Sequence, residues 1–136
     1  MKKLKYFLPS ILLMIFIFIM SQMPGDESST QSTFIQTLIY NLIHINIPMF
    51  IIRKTAHMSE YTLLCLTFYY GFYHTIYKEY YYPTLCTFLY ACTDEFHQLF
   101  ITGRSGQFTD VLIDITIPAI MMMALYIYKH KKTSQY

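Results

Sequence analysis

Charged side chains are scarce in this chain. Asp, Glu, Lys and Arg supply 13% of its residues and hydrophobic residues 54%, whereas the charged share of a soluble domain is usually ~25%. The net charge of +2 is small, and the basic residues lie at the ends of apolar runs, which argues against a nucleic-acid partner. The composition therefore indicates a protein whose main solvent is a lipid bilayer.

Several motifs of soluble enzymes are absent. The three cysteines, Cys65, Cys86 and Cys92, lie inside apolar runs and lack the two-residue spacing of zinc or redox pairs, so we expect them to be buried. The chain has no glycine-rich phosphate loop, and no serine stands in a nucleophile elbow. Gly103 and Gly106 are typical of a turn.

Long apolar runs dominate what is present. They predict a single membrane domain over residues 1–136, with spans at about residues 6–21, 55–77, 83–101 and 108–128. The first run follows three lysines, as in a signal peptide, but no cleavage site of small residues comes after it. We therefore expect an uncleaved first span.

The segment between the first two spans has two parts. Residues 22–33 are rich in Ser, Thr and acidic residues with a Pro-Gly pair, which predicts an outer loop. In residues 34–52, Thr37, Asn41 and His44 recur at helical spacing opposite an apolar face, which favours an amphipathic helix in the membrane interface. The alternative is a fifth span.

The distribution of lysines distinguishes four spans from five, because cytoplasmic loops carry an excess of Lys and Arg. Four spans place both termini in the cytoplasm and leave only Arg53, Lys54 and Arg104 outside. We therefore predict an all-α integral membrane protein with four transmembrane helices and an interfacial amphipathic helix between the first and second. The lysines placed inside are Lys2, Lys3, Lys5, Lys78, Lys129, Lys131 and Lys132.

Polar residues cluster at the predicted outer ends of the last three spans. A charge at the centre of a membrane helix costs at least ~2.5 kcal/mol, so this cluster predicts a site. Three sets share a helical face and must meet one another or a wet cavity: Arg53, His57, Glu60 and Tyr61; Asp94 and Gln98; and Asp110 and Asp114. The candidate ligand-binding or polar cluster comprises Arg53, Lys54, His57, Glu60, Tyr61, Asp94, Glu95, His97, Gln98, Arg104, Asp110 and Asp114.

A purely structural network is the alternative, in which Arg53 and Arg104 pair with carboxylates and hold three helices together. However, the carboxylates outnumber the three formal positive charges unless a histidine is protonated, so pairing alone leaves an excess of acid. We therefore favour a functional pocket. The carboxylates are Glu60, Asp94, Glu95, Asp110 and Asp114.

Four segments of the chain occur in the order and spacing of a known family. They are RKTAHMSEY at residues 53–61, DEFHQLF at 94–100, GRSG at 103–106 and DVLID at 110–114. Through them the chain resembles the VanZ-like membrane family. The resemblance implies a small bacterial four-span protein of the cell envelope, associated with resistance to the glycopeptide antibiotic teicoplanin. It implies no settled molecular activity.

Three classes of function fit these residues. The leading hypothesis is a binding module whose outer pocket recognises a lipid-linked cell-wall intermediate or a glycopeptide through Arg53, Lys54 and Arg104, since arginine forks suit phosphate and carboxylate. The second is an intramembrane hydrolase or transferase that uses the histidines and carboxylates, with or without a divalent metal. The third is proton relay or transport, for which four short helices leave little room.

Overall fold

The computed structural model describes residues 3–75 and 80–133. Within these residues a 3₁₀ turn at Leu4–Phe7 leads into α-helices, and no strand occurs. The helices are α1 (Leu8–Ser21), α2 (Gly25–Ile43), α3 (Met49–Thr75), α4 (Tyr81–Gln98) and α5 (Phe108–Thr133). Helix accounts for 85% of the structure. The predicted all-α class is therefore confirmed.

Helices α3, α4 and α5 pack against one another and form the centre of the bundle, while α1 packs on α3 and α4, and α2 packs on α3. Ile17 of α1, Tyr61 and Leu64 of α3, Ala91 of α4 and Val111 of α5 make up the buried apolar cluster. The small side chain of Ala91 at this centre allows the helix backbones to approach closely.

Acidic side chains are buried in this bundle while large apolar side chains are exposed. Asp114 and Asp94 are 1% and 3% exposed, whereas Phe34 and Phe100 are 70% and 71% exposed. Soluble proteins rarely bury an acid or expose extended apolar surface. The distribution is thus the reverse of that in a water-soluble domain.

Two helical segments in the described part of the chain, Leu4–Ser21 and Phe108–Lys131, are long and apolar enough to cross a membrane. Helices α3 and α4 do not meet this criterion, because their polar residues lower the mean hydropathy. The structure therefore supports two candidate spans and is weakly consistent with a membrane protein. Four spans stay a prediction.

The predicted outer loop at residues 22–33 is wrong, because α2 begins at Gly25. Two local features explain this helix. Asp26 and Glu27 lie in its first turn, where negative charge is favourable to the helix dipole. The hydroxyls that suggested a loop instead bond back to the preceding turn, as when Ser29 Oγ donates to the Gly25 carbonyl at 2.7 Å.

The predicted amphipathic helix over residues 34–52 is also wrong in its bounds. A helix does lie between the first and second predicted spans, but α2 ends at Ile43, where His44 adopts a left-handed φ of 56°. Pro48 disfavours helix at the residue before it, so α3 starts at Met49, earlier than the predicted second span. The linker is held by Gln36, whose Nε2 donates to the Ile47 carbonyl at 2.8 Å.

The remaining spans agree with the helices except at their ends. Helix α1 begins at Leu8, after the 3₁₀ turn, and α4 ends at Gln98 rather than near residue 101, because residues 99–101 form tight turns. Helix α5 continues to Thr133, beyond the predicted residue 128. Residues 76–79, which include Lys78, lie outside the described residues, as does Lys2.

The start of α2 rests directly on the loop between α4 and α5. The Gly25 amide donates to the Thr102 carbonyl at 3.0 Å, and a Cβ atom at Gly25 would overlap with the carbonyl oxygen of Gly103. Gly103 itself has a positive φ of 75°. Glycine at position 25 is therefore required by backbone contact.

We expect Gly25→Ala to lower the unfolding free energy by ~1–3 kcal/mol, because two backbones must move apart. Gly71→Ala is the matched control. There the new methyl meets the Phe7 ring, a side chain that can move, and alanine favours a helix over glycine by ~1 kcal/mol. Thermal unfolding of the purified variants measures both. Equal losses would contradict the backbone contact at Gly25.

Candidate functional site

The beginning of α3, the end of α4, the beginning of α5 and the loop at residues 99–107 surround a polar cavity of about 360 Å³. We call it the main cavity for its charged lining; an apolar cavity between α4 and α5 is larger, at about 780 Å³. The sequence placed polar residues on each of these elements, and the tertiary structure brings most of them to this one place. The predicted residues that line it are Arg53, Lys54, His57, Glu95, Gln98, Arg104, Asp110 and Asp114.

The other four predicted residues lie elsewhere. Tyr61 and Asp94 are buried in the bundle and bonded to each other. Glu60 lines a second cavity, described below. The ring of His97 lies 5.0 Å from the ring of Phe18 in α1, and His97 lines neither cavity. The structure therefore separates His97 from the group with which the sequence placed it.

The buried carboxylate of Asp94 is the hub of the cluster. Its Oδ2 accepts a hydrogen bond from Tyr61 Oη at 2.8 Å and another from Gln98 Nε2 at 2.9 Å. Its Oδ1 has no hydrogen-bond partner among the described residues. Because a buried polar group is costly unless it is bonded, the bond from Tyr61 fixes how α3 sits against α4.

The loop between α4 and α5 docks on the end of α4. The main-chain N–H of Gln107 donates to Glu95 Oε2 at 2.9 Å. A Cβ atom at Gly106 would overlap with the main-chain carbonyl of Glu95. Gly106 therefore permits a close backbone contact as well as a turn. This docking places the start of α5 beside α3, where Asp110 Oδ1 lies 2.5 Å from Lys54 Nζ.

Arg104 is bound by the main chain at the end of α1. Its Nε donates to the Met23 carbonyl at 2.8 Å and its Nη2 to the Met20 carbonyl at 3.1 Å. Carbonyls at a helix C-terminus lack partners within the helix and suit a cation. Burial, together with the nearby Arg53 charge, lowers the pKa of the Arg104 guanidinium. Arg104 thus joins the loop to α1 while it lines the main cavity.

Two charges of the main cavity remain after these contacts. Arg53 is half-buried and forms no hydrogen bond or ion pair within the described residues. Asp114 is almost fully buried, and its Oδ1 has no partner in the same part of the chain. The network in which Arg53 and Arg104 pair with carboxylates is therefore not what the structure contains.

A second cavity of about 200 Å³ lies between α1, α2 and α3. Arg53, His57 and Arg104 line both cavities and form the wall between them. Glu60 lines the second cavity but not the main one, and its Oε2 lies 3.9 Å from His57 Nδ1. The sequence missed the contribution of α2, although the i, i+4 spacing of two serines was a signal. The residues that α2 adds are Ser28, Gln31, Ser32 and Ile35.

No group of three His, Cys, Asp or Glu side chains is arranged to hold a metal ion in residues 3–75 and 80–133. The cysteines are free thiols, of which Cys65 is buried and the other two half-buried. A metal-assisted reaction therefore has no preformed ligand set in this part of the chain.

The fold and the cavities define a class of protein: an all-helical bundle with an apolar surface and a polar, charge-lined cavity at one end. A family model described as VanZ/LLP1 matches residues 6–130, and the chain belongs to this family. The four polar segments that carried the resemblance lie inside the matched range. Neither the curated proteins nor the solved structures contain a significant match to this chain.

The hydrogen bond from Tyr61 to Asp94 predicts a measurable coupling. We expect Tyr61→Phe to lower the unfolding free energy by ~1–3 kcal/mol, because it removes a donor from a buried carboxylate. In a double-mutant cycle with Asp94→Asn, the coupling should reach ~0.5–3 kcal/mol. Unfolding of the four proteins in detergent measures it.

Tyr70→Phe is the control for Tyr61→Phe, because it removes a hydroxyl from a side chain that is 47% exposed. It should leave stability nearly unchanged. Strict additivity of Tyr61→Phe and Asp94→Asn would contradict the network.

Proposed function

We propose that the chain is a four-span protein of the bacterial cell membrane, with α1, α3, α4 and α5 as its spans and both termini in the cytoplasm. The lengths support this, since helices of 27 and 18 residues reach about 40 and 27 Å, against ~30 Å of hydrocarbon. The low hydropathy of α3 and α4 is consistent with it, because several of their polar residues are buried or line cavities.

We assign α2 to the outer membrane interface rather than to a span. Phe34, Leu38 and Leu42 follow one another at intervals of four residues, and each is more than half exposed. An exposed apolar stripe on a helix whose first turns are polar is typical of a helix that lies in the interface.

Cysteine labelling tests this topology. In a protein whose three native cysteines are replaced by alanine, we expect Ser105→Cys to react with a membrane-impermeant maleimide in intact cells. Lys131→Cys, at the far end of α5, should react only after permeabilisation, because the two sites lie on opposite sides of the bilayer. Reaction of Lys131→Cys in intact cells would contradict four spans. The cysteine-free protein gives the background.

We propose that the main cavity binds an anionic group, a phosphate or carboxylate of a cell-wall lipid intermediate or of a glycopeptide, and that the protein thereby contributes to glycopeptide resistance. Arg53 is the observation that carries this proposal. It is a half-buried guanidinium that lines both cavities and has no bonding partner among the described residues. Burial of such a cation is costly, and a bidentate anion would offset that cost. Family membership is consistent with the role in resistance.

Arg53→Gln should weaken the binding of undecaprenyl phosphate, as a lipid-linked phosphate, or of teicoplanin, as a glycopeptide. We expect a loss of at least ~10-fold, because a hydrogen bond to a charged group contributes ~1.5–3 kcal/mol. Arg53→Lys should recover only part of the loss, since lysine lacks the planar fork. Native mass spectrometry of the detergent-purified protein measures binding, and teicoplanin susceptibility of cells that express each variant measures the role in resistance.

Lys131→Gln is the matched control for Arg53→Gln. It removes one positive charge from an exposed site about 30 Å along α5 from the main cavity. If Arg53→Gln and Lys131→Gln bind the probes with the same affinity, the cavity does not bind these anions.

A second candidate function is that of an intramembrane hydrolase or transferase. One observation favours it: His57 faces both cavities, and its Nδ1 lies 3.9 Å from Glu60 Oε2, a separation that a small rearrangement could close into an acid–base pair. The same mass-spectrometric experiment distinguishes it. An enzyme would convert the bound probe to a product, and His57→Gln would abolish that conversion while it left binding intact.

A further inference from the structure

We infer that the main cavity holds a ligand with a positive group beside its anionic one: an ammonium joined by a short linker to a phosphate or carboxylate. Arg53 would bind the anion and Asp114 the ammonium. This inference rests on the proposed binding function and specifies its ligand class. Phosphoethanolamine, the headgroup of phosphatidylethanolamine, is a simple molecule of this kind.

The argument begins with the charges on the cavity wall. Three are positive and three negative, and most are already engaged by the protein. Lys54 contacts Asp110 at 2.5 Å. Glu95 accepts a hydrogen bond from the main-chain N–H of Gln107. Arg104 is bonded to main-chain carbonyls. The charged residues of this cavity left without a bonding partner in the described part of the chain are therefore one cation, Arg53, and one anion, Asp114.

Asp114 is the more deeply buried of the two residues and therefore needs a partner more. It is 1% exposed, it lines the cavity, and its Oδ1 has no hydrogen-bond partner among the described residues. Lys54 attracts it electrostatically, but the Lys54 ammonium is in direct contact with Asp110. An unpaired buried carboxylate is unfavourable, so Asp114 either carries a proton or receives a cation from a ligand.

The size of the cavity and its charge pattern select the class of ligand. Sites for small molecules usually enclose ~300–1,000 Å³, and this cavity of about 360 Å³ admits a headgroup or a small solute rather than a large antibiotic core. A purely anionic ligand would satisfy Arg53 and leave Asp114 buried against another negative charge. A ligand with both charges satisfies both residues.

Phosphatidylethanolamine and phosphatidylglycerol with identical acyl chains form the test pair, because both carry a phosphate and only the first carries an ammonium. Native mass spectrometry of the detergent-purified protein gives the ratio of the two bound lipids. We expect the wild type to prefer phosphatidylethanolamine by at least ~10-fold, which corresponds to ~1.4 kcal/mol. Equal binding by the wild type would overturn the inference.

Asp114→Asn separates the two states of the carboxylate. Asparagine is close in shape to a protonated aspartic acid but cannot pair with an ammonium. We expect this variant to lose the preference while phosphatidylglycerol binding is unchanged, and Asp114→Glu to retain the preference. A preference that survives Asp114→Asn would show that Asp114 is protonated and would overturn the inference. Asp26→Asn, at an exposed acid in α2, is the charge-matched control.

Arg53→Gln keeps this inference distinct from the proposed function. Loss of both lipids in Arg53→Gln supports an anion site, whatever Asp114 does. If the binding of neither lipid depends on Arg53, the binding function itself is contradicted.

Competition with soluble O-phosphoethanolamine identifies the source of the ligand. Displacement of the lipid supports recognition of the headgroup alone. Retained lipid preference without displacement supports recognition of the membrane lipid.

Discussion

The carboxylate of Asp94 must be satisfied inside a bundle whose outer surface is apolar, and the arrangement of the other helices depends on how this is done. Gln98 reaches it from one turn further along α4, and Tyr61 reaches it from α3, so the Tyr61 bond holds these two helices in a defined register. A slip of α3 along α4 would remove the Tyr61 donor and leave the buried carboxylate with Gln98 alone. The main cavity is lined in part by these two helices.

Backbone contacts complete the cavity at the same end of the molecule. The start of α2 meets the carbonyl of Gly103, and Gly106 lies against the carbonyl of Glu95, so the loop between α4 and α5 is fixed from two sides. Arg104 then ties this loop to the end of α1. At the other end of α5, Lys129 Nζ donates to Tyr69 Oη at 3.1 Å. Both ends of α5 are thus attached to their neighbours.

The recognition that we propose fits a cavity lined by charges of both signs. Lys54 and Asp110 contact each other, and Glu95 and Arg104 bond to the main chain, so Arg53 and Asp114 are the charges of this cavity without a bonding partner among the described residues. His57 lines both cavities and Glu60 only the second, so the candidate acid–base pair lies on the wall that the two cavities share.

The sequence by itself determined the all-α class, the family and the set of polar residues, because apolar runs and polar residues at helical spacing are local properties. It could not determine the start of α2, since serine and threonine favour loops until their hydroxyls bond to the preceding helical turn. Nor could it assign partners: Arg104 binds the main-chain carbonyls of Met20 and Met23, at and just beyond the end of α1, more than eighty positions away in the chain. Which charges remain unpaired is decided only when distant helices meet, because each pairing depends on the positions of all the others.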